Sequence, residues 1–269
     1  GITASRKSDH IDLAFASQIE TLDTRFYYEP MLTGHPKGDL EPVDFAGKTM
    51  KVPMWVSSMT GGTGKARMIN HNLGRLCGEL GLGMGLGSCR ILLEEMDTYF
   101  EDFNLRPLIG PDSPFFANMG IAQVEELIRD KKLHQLEELV SKLEADGLIL
   151  HVNPLQELLQ PEGDRYYMSP VNVVDELLEQ CNFKVVVKEV GQGFGPESLK
   201  ALMKRPIAAI DFAAHGGTNF SQLELLRGDE LRKDTYGPLT FVGHSAADMV
   251  NLTNDILEQM GAVARCQNF

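Results

Sequence analysis

The chain has 269 residues, 43% hydrophobic and 23% charged, with 26 glycines and 13 prolines. That composition excludes a disordered, collagen-like or low-complexity chain, and the length suits one α/β barrel or two smaller domains. Lys and Arg number 25 against 38 Asp and Glu, a net charge of -13, whose long-range field repels nucleic acid and anionic membranes, so neither is expected as a partner.

In chain order, GITASRKSDHIDL carries basic residues but no apolar run behind them, so it does not read as a secretory signal. No apolar stretch reaches the ~18 residues of a membrane span, and a cytoplasmic protein is expected. Cys77, Cys89, Cys181 and Cys266 fit no zinc-site or redox-pair spacing; reduced, mostly buried thiols are expected. Short apolar runs at 52–56, 84–86, 114–117, 148–152, 185–187 and 207–212 suit strands buried on both faces. Helical stripes lie between them. The first is Ile69, Leu73, Leu76 and Leu80, closed by Gly81; the second is Leu133, Leu136, Val140 and Leu143; the third is Val171, Val174, Leu177 and Leu178. Pro196 opens a helix bearing Leu199, Leu202 and Met203, and Ser245 caps one bearing Met249, Val250, Ile256, Leu257 and Met260. Strand and helix in alternation imply a parallel sheet with right-handed crossovers.

The strand ends read SSMTGG, GSCR, ANMG, HVNPLQE, KEVGQGFG and AAHGGTNF. In a parallel barrel such loops share one face, and that face carries the chemistry. The G-x-G-x-x-G of a dinucleotide-binding sheet is not found after the first strand. The expected fold is therefore a (β/α)8 TIM barrel, a single domain over 1–269. About six βα units are legible where a closed barrel has eight, so the barrel is expected to lack its last two units, roughly 60 residues.

Residue types at these ends suggest chemistry. Arg6, Lys7 and His10 form a cationic knot able to clamp an anion. Glycine and hydroxyl loops at 57–62, 87–90 and 216–218 can wrap a phosphate or a planar ring as readily as they make tight turns. His151, Asn153, Gln156 and Glu157 follow directly on an apolar strand and suit a hard cation such as Mg²⁺. Lys188 ends a buried strand and must find a partner, either Glu189 or an anionic cofactor. Asn118 ends another strand as a two-sided hydrogen-bonding group.

RKSDHI, FYYEPML, SSMTGG, GLGSCR, ANMG, HVNPLQELLQPEGDR, KEVGQGFG and AAHGGTNF together resemble type 2 isopentenyl diphosphate isomerase, over residues 6 to about 261. The resemblance implies a (β/α)8 barrel that binds FMN and Mg²⁺, with flavin reduced by NADPH or NADH, and interconverts isopentenyl and dimethylallyl diphosphate. It implies a homo-oligomer, tetramer or octamer. Carried over by motif, Arg6, Lys7, His10, Ser88, Arg90, His151, Asn153 and Gln156 bind substrate. Ser58, Met59, Thr60, Ser88, Asn118, Lys188 and Thr218 hold FMN, Glu157 ligates the metal, and Gln156 and Lys188 are the catalytic pair. Ala213 departs from the family pattern, which often has Ser there. The family's later phosphate-gripping loop has no counterpart up to Phe269. Two rival readings stand beside this one. One is an α-hydroxy-acid oxidase that uses His215 and Arg90, and the other is a catalytically inactive fragment.

Overall fold

The computed structural model describes residues 9–10, 12–24, 27–32, 34–35, 38, 40–58, 62 and 64–269. The chain divides into two units, Gly1–Asp39 and Leu40–Phe269. In the first, the described residues are helical at 9–10 and 12–13 and otherwise turns and irregular backbone. There the Ser17 hydroxyl donates to the Ala14 carbonyl at 3.0 Å.

The second unit holds eight described strands: β1 Val43–Phe45, β2 Lys48–Met50, β3 Trp55–Val56, β4 Gly83–Gly85, β5 Phe115–Gly120, β6 Gly147–His151, β7 Lys184–Lys188 and β8 Ala209–Asp211. The last six pair in chain order, β3-β4-β5-β6-β7-β8, every pair parallel. Helices cross over between them: α1 Gly64–Leu80, α2 Arg90–Glu94, α3 Met96–Phe103, α4 Arg106–Ile109, α5 Ile121–Arg129, α6 His134–Lys142, α7 Pro154–Leu159, α8 Pro170–Gln180 and α9 Pro196–Met203. After β8 come α10 Phe220–Arg227, α11 Glu230–Tyr236 and α12 Ala246–Met260. This is the six-strand part of a (β/α)8 barrel, as the alternation predicts. None of the described helices is long and apolar enough to cross a membrane.

Every expected strand run lands on a strand, with bounds moved by one to three residues. The run at 52–56 begins to pair only at Trp55, because Pro53 has no N–H for the ladder and the Met54 N–H turns back to the Val52 carbonyl. β5 continues past its apolar part because Asn118 and Gly120 still pair with Ile149 and His151.

Alternation along each strand separates two cores. Phe116, Ile149, Val186 and Ala209 join Ala46 and Ala208 on the inner side of the sheet. Ala117, Leu148, Leu150, Val185, Val187 and Ile210 join the helices in the larger outer core. The β1–β2 hairpin, absent from the sequence reading, plugs the inner core. Its turn places Ala46 and Gly47 at φ 49° and 79°, the positive pair that a tight right-twisted hairpin needs. Phe45 packs on Trp55 and Phe116 with ring centroids 5.1 and 6.2 Å away. The Lys184 ammonium, at the start of β7, donates to the Ala46 carbonyl. The hairpin thus closes the N-terminal end of the strands and leaves their C-terminal ends open.

The expected stripe on α1 is corrected. Ala66, Asn70, Gly74 and Cys77 are its buried residues, while Leu76 and Leu80 are exposed. The cause is close packing on the α4 segment: a Cβ at Gly78 would meet the Leu108 carbonyl oxygen at 2.3 Å. On α8 the buried residues are Val173, Val174 and Leu177 rather than Val171, and on α12 Val250 faces out. The α6 and α9 stripes are buried as expected, and Ser245 caps α12 in a reciprocal box with Asp248. All four cysteines are free; three are buried and Cys181 partly so.

Candidate active site

The strand register brings the site together. Gly120, His151, Lys188 and Asp211 stand opposite one another across β5, β6, β7 and β8. They lie two residues beyond the inner-core row Asn118, Ile149, Val186 and Ala209, so they share its face at the open ends of the strands. A cleft of about 140 Å³ opens there, lined by Ser58, Gly87, Ser88, Asn118, His151, Gln156, Lys188, Val190 and Phe220. Gly120 packs closely under the site: a Cβ there would meet Gln123 Oε1 at 2.3 Å and His151 Nε2 at 2.9 Å, so the Gln123 side chain would have to shift.

Asn118 fixes the histidine tautomer. Its amide donates to the Leu86 carbonyl at 2.9 Å, which leaves Oδ1 to accept from His151 Nδ1–H at 2.7 Å. Nε2 of His151 is then an acceptor. Burial, reinforced by the Lys188 charge, holds the His151 pKa down at about 4, so the ring is neutral near pH 7. Lys188 is 5% exposed and donates to the Glu189 backbone carbonyl at 2.7 Å. Burial pulls its pKa down, while Asp211 and Glu189 pull it back up. The Glu189 carboxylate is not the hydrogen-bond partner that the sequence offered. It accepts instead from the N–H groups of Gly191, Gln192 and Gly193 at 2.7, 2.6 and 3.2 Å. Among the described residues the bond to the Glu189 carbonyl is the one hydrogen bond of the Lys188 ammonium, which leaves it with donors to spare for an anion.

HVNPLQE forms a polar chain around α7. Asn153 is 3% exposed and donates to Gln156 Oε1 at 3.1 Å and Glu157 Oε1 at 2.8 Å. Gln156 donates to Glu224 Oε1 at 3.1 Å, and Glu224 is paired with Arg227 at 3.3 Å. Glu157 Oε2 accepts from the Asp164 N–H at 2.7 Å. Asp164 Oδ2 accepts from Gln123 at 2.7 Å and from Arg90 at 3.3 Å.

Of the residues expected at the site, Ser58, Ser88, Asn118, His151, Gln156 and Lys188 line one cleft. Arg90 lines an adjoining depression with Ser88. Glu157 lines another with Asp164, Arg165 and Tyr166. Asn153 holds Gln156 and Glu157 rather than lining the cleft. Thr218 is exposed on the loop after β8 and is not among the lining residues. His10 is exposed in the first unit. Arg6, Lys7, Met59 and Thr60 lie outside the described residues. Gln123, Asp164 and Glu224 join the network without having been singled out. Asp164 sits in the quoted QPEGD stretch, and Glu224 lies one helical turn after Phe220.

The donor set suits an anionic, ring-shaped cofactor such as FMN. Among the described residues the Ser58 hydroxyl is buried without a hydrogen-bond partner, and it lines the same cleft as Lys188. For a cation, no group of three His, Cys, Asp or Glu side chains converges among the described residues. Glu157 is a single carboxylate, the number that suits Mg²⁺ when substrate phosphate and water complete its shell.

No family model matches the chain. An isopentenyl-diphosphate delta-isomerase from Rickettsia akari (strain Hartford) is 38% identical over 229 residues, 83% of this chain and 66% of the relative. The protein of that name from Synechocystis sp. (strain ATCC 27184 / PCC 6803 / Kazusa) is 38% identical over 232 residues, 84% of this chain and 65% of the relative. That from Rickettsia prowazekii (strain Madrid E) is 35% identical, over 82% of this chain and 65% of the relative. The chain therefore spans just under two thirds of the length of these relatives. Among solved structures, a mandelate oxidase variant with an FMN adduct aligns at a TM-score of 0.42 and 11% identity, over 84% of this chain and 79% of the other. On these comparisons, the chain is similar over 82–84% of its length to proteins named isopentenyl-diphosphate delta-isomerase.

Proposed function

We propose that this chain interconverts isopentenyl and dimethylallyl diphosphate with reduced FMN and Mg²⁺. The observation that carries the reading is the gathering of Ser58, Asn118, His151, Gln156 and Lys188 in one cleft at the strand ends. The chemistry that FMN would supply when bound and reduced by NADPH or NADH is acid–base catalysis at the alkene. The chain's own residues bind and orient. Lys188 would offset the negative charge of the reduced ring, and the Ser58 hydroxyl and Asn118 amide would take its polar edge, together with Met59, Thr60, Ser88 and Thr218.

Protonating an unactivated alkene passes through a tertiary, carbocation-like state, which a neighbouring nucleophile would trap. Gln156 answers that need as a neutral amide, held from both sides by Asn153 and Glu224. His151 is neutral too, with Nε2 free to accept from substrate or bound water. Arg90 and Ser88, with Arg6, Lys7 and His10, would take the diphosphate, and Glu157 would ligate Mg²⁺. The same reading makes 1–269 one barrel domain of a cytoplasmic homo-oligomer, tetramer or octamer.

The oxidase reading needs a histidine base beside an arginine over the flavin. His215 instead bonds the Val242 carbonyl at 3.2 Å, and it does not line the cleft. That supports the isomerase. Titration with FMN tests the site: Lys188→Met is expected to weaken binding at least ~10-fold, a charge-assisted contact of about 1.5–3 kcal/mol being lost. A 2-hydroxy acid should leave the bound flavin oxidised. Unchanged FMN affinity in Lys188→Met, or bleaching by a 2-hydroxy acid, would contradict the reading.

A further inference from the structure

We propose that Asp164 is a positioning residue that sets the anion-binding arm of the cleft, acting through Arg90. The proposal rests on the isomerase reading, which makes a diphosphate the ligand of that arm.

Three loops from three successive strands meet at this one residue. Arg90 opens α2 after β4, Gln123 lies in the first turn of α5 after β5, and Glu157 lies in α7 after β6. Asp164 Oδ2 accepts from the Gln123 amide at 2.7 Å and the Arg90 guanidinium at 3.3 Å, while its backbone N–H donates to Glu157 at 2.7 Å. The residue is itself fixed by a tight turn. The Gly163 N–H donates to the Gln160 carbonyl at 3.0 Å, and a Cβ at Gly163 would meet the Glu157 carbonyl oxygen at 1.9 Å, so only glycine lets the loop approach α7 this closely.

Arg90 needs such an anchor. Its side chain is 53% exposed and long, and an unrestrained arginine loses rotamer freedom each time it closes on a phosphate. Asp164 holds it by one nitrogen, Nη1, and Glu94 stands 3.8 Å from Nε. Neither contact is a two-point fork, so the guanidinium keeps donors for an incoming phosphate. A carboxylate that competed for the same donors would grip both forward nitrogens at shorter range. Gln123 pins the acid from the other side, which keeps Asp164 from following the arginine.

The test is calorimetric binding of inorganic pyrophosphate to the FMN-loaded full chain, in the native protein, Asp164→Asn, Arg90→Ala and the double variant. Asn keeps the backbone N–H to Glu157 and an acceptor oxygen, so the fold, the flavin spectrum and the Mg²⁺ requirement should not change. Pyrophosphate binding should weaken about threefold to fivefold in Asp164→Asn, the range of a half-exposed charge pair. That loss should vanish in the Arg90→Ala background, since the two residues act as one unit. In turnover, KM for isopentenyl diphosphate should rise by the same factor with kcat within about twofold. Equal losses in both backgrounds, or tighter pyrophosphate binding by Asp164→Asn, would overturn the positioning role and leave the isomerase reading standing. A native protein that binds neither pyrophosphate nor isopentenyl diphosphate would remove that reading and the proposal with it.

Discussion

A polar side chain that ends an apolar strand has to be satisfied by something, and Asn118, His151 and Lys188 show how far that reasoning reaches. Each is visible in the sequence as a break in an apolar run, and each lands in the cleft. Their partners are not visible, because pairing depends on contacts made far along the chain. Arg90 and Asp164 are 74 residues apart, and Gln156 and Glu224 are 68 apart. The His151 environment makes a prediction at this scale. Its ring takes up a proton only near pH 4 in the folded chain, against an ordinary value of 6.5 in the unfolded one. Between those values the unfolded state binds more protons, so stability is fully present above about pH 6.5 and falls as the pH drops toward 4. Denaturant unfolding at several pH values should show His151→Gln losing less stability on acidification, by up to about 1.4 kcal/mol per pH unit. Parallel curves for the two proteins across that window would contradict a buried neutral His151.

The elements were legible in proportion to how completely they are buried. Strands covered on both faces show as unbroken apolar runs, and the α6 stripe is buried as its spacing predicts. The hairpin was not legible, because its strands are three residues each and its turn is Ala-Gly rather than Asn-Gly or Asp-Gly. The α1 face was misread for a related reason. Gly74 and Gly78 look like weak points in a helix, yet they form the contact face, and the larger Leu76 and Leu80 turn outward. Gly78→Ala therefore tests helix packing rather than propensity. Alanine would favour an isolated helix by about 1 kcal/mol, but here its Cβ would meet the Leu108 carbonyl oxygen at 2.3 Å. Chemical unfolding should show a net loss of about 1–3 kcal/mol, the range for overpacking. A stabilised variant would mean that α1 does not approach α4 this closely.

At the scale of the molecule, the plugged and open ends of the strands decide where chemistry can occur. The hairpin and Lys184 occupy one end, and Ser58, Asn118, His151, Gln156 and Lys188 collect at the other. Barrel architecture was readable from the alternation of strand and helix, whereas the division into Gly1–Asp39 and Leu40–Phe269 was not, because no composition shift marks it. With a net charge of -13, the proposed function requires local contacts to hold a diphosphate against the chain's own field. All of this converges on one reaction in one cleft. The direct measurement is proton NMR of isopentenyl diphosphate in D₂O with Mg²⁺ and the anaerobic, FMN-loaded full chain, before and after reduction of the flavin. The account predicts dimethylallyl diphosphate carrying solvent deuterium after reduction and no conversion before it. Unchanged isopentenyl diphosphate over a fully reduced, flavin-loaded protein would contradict the account.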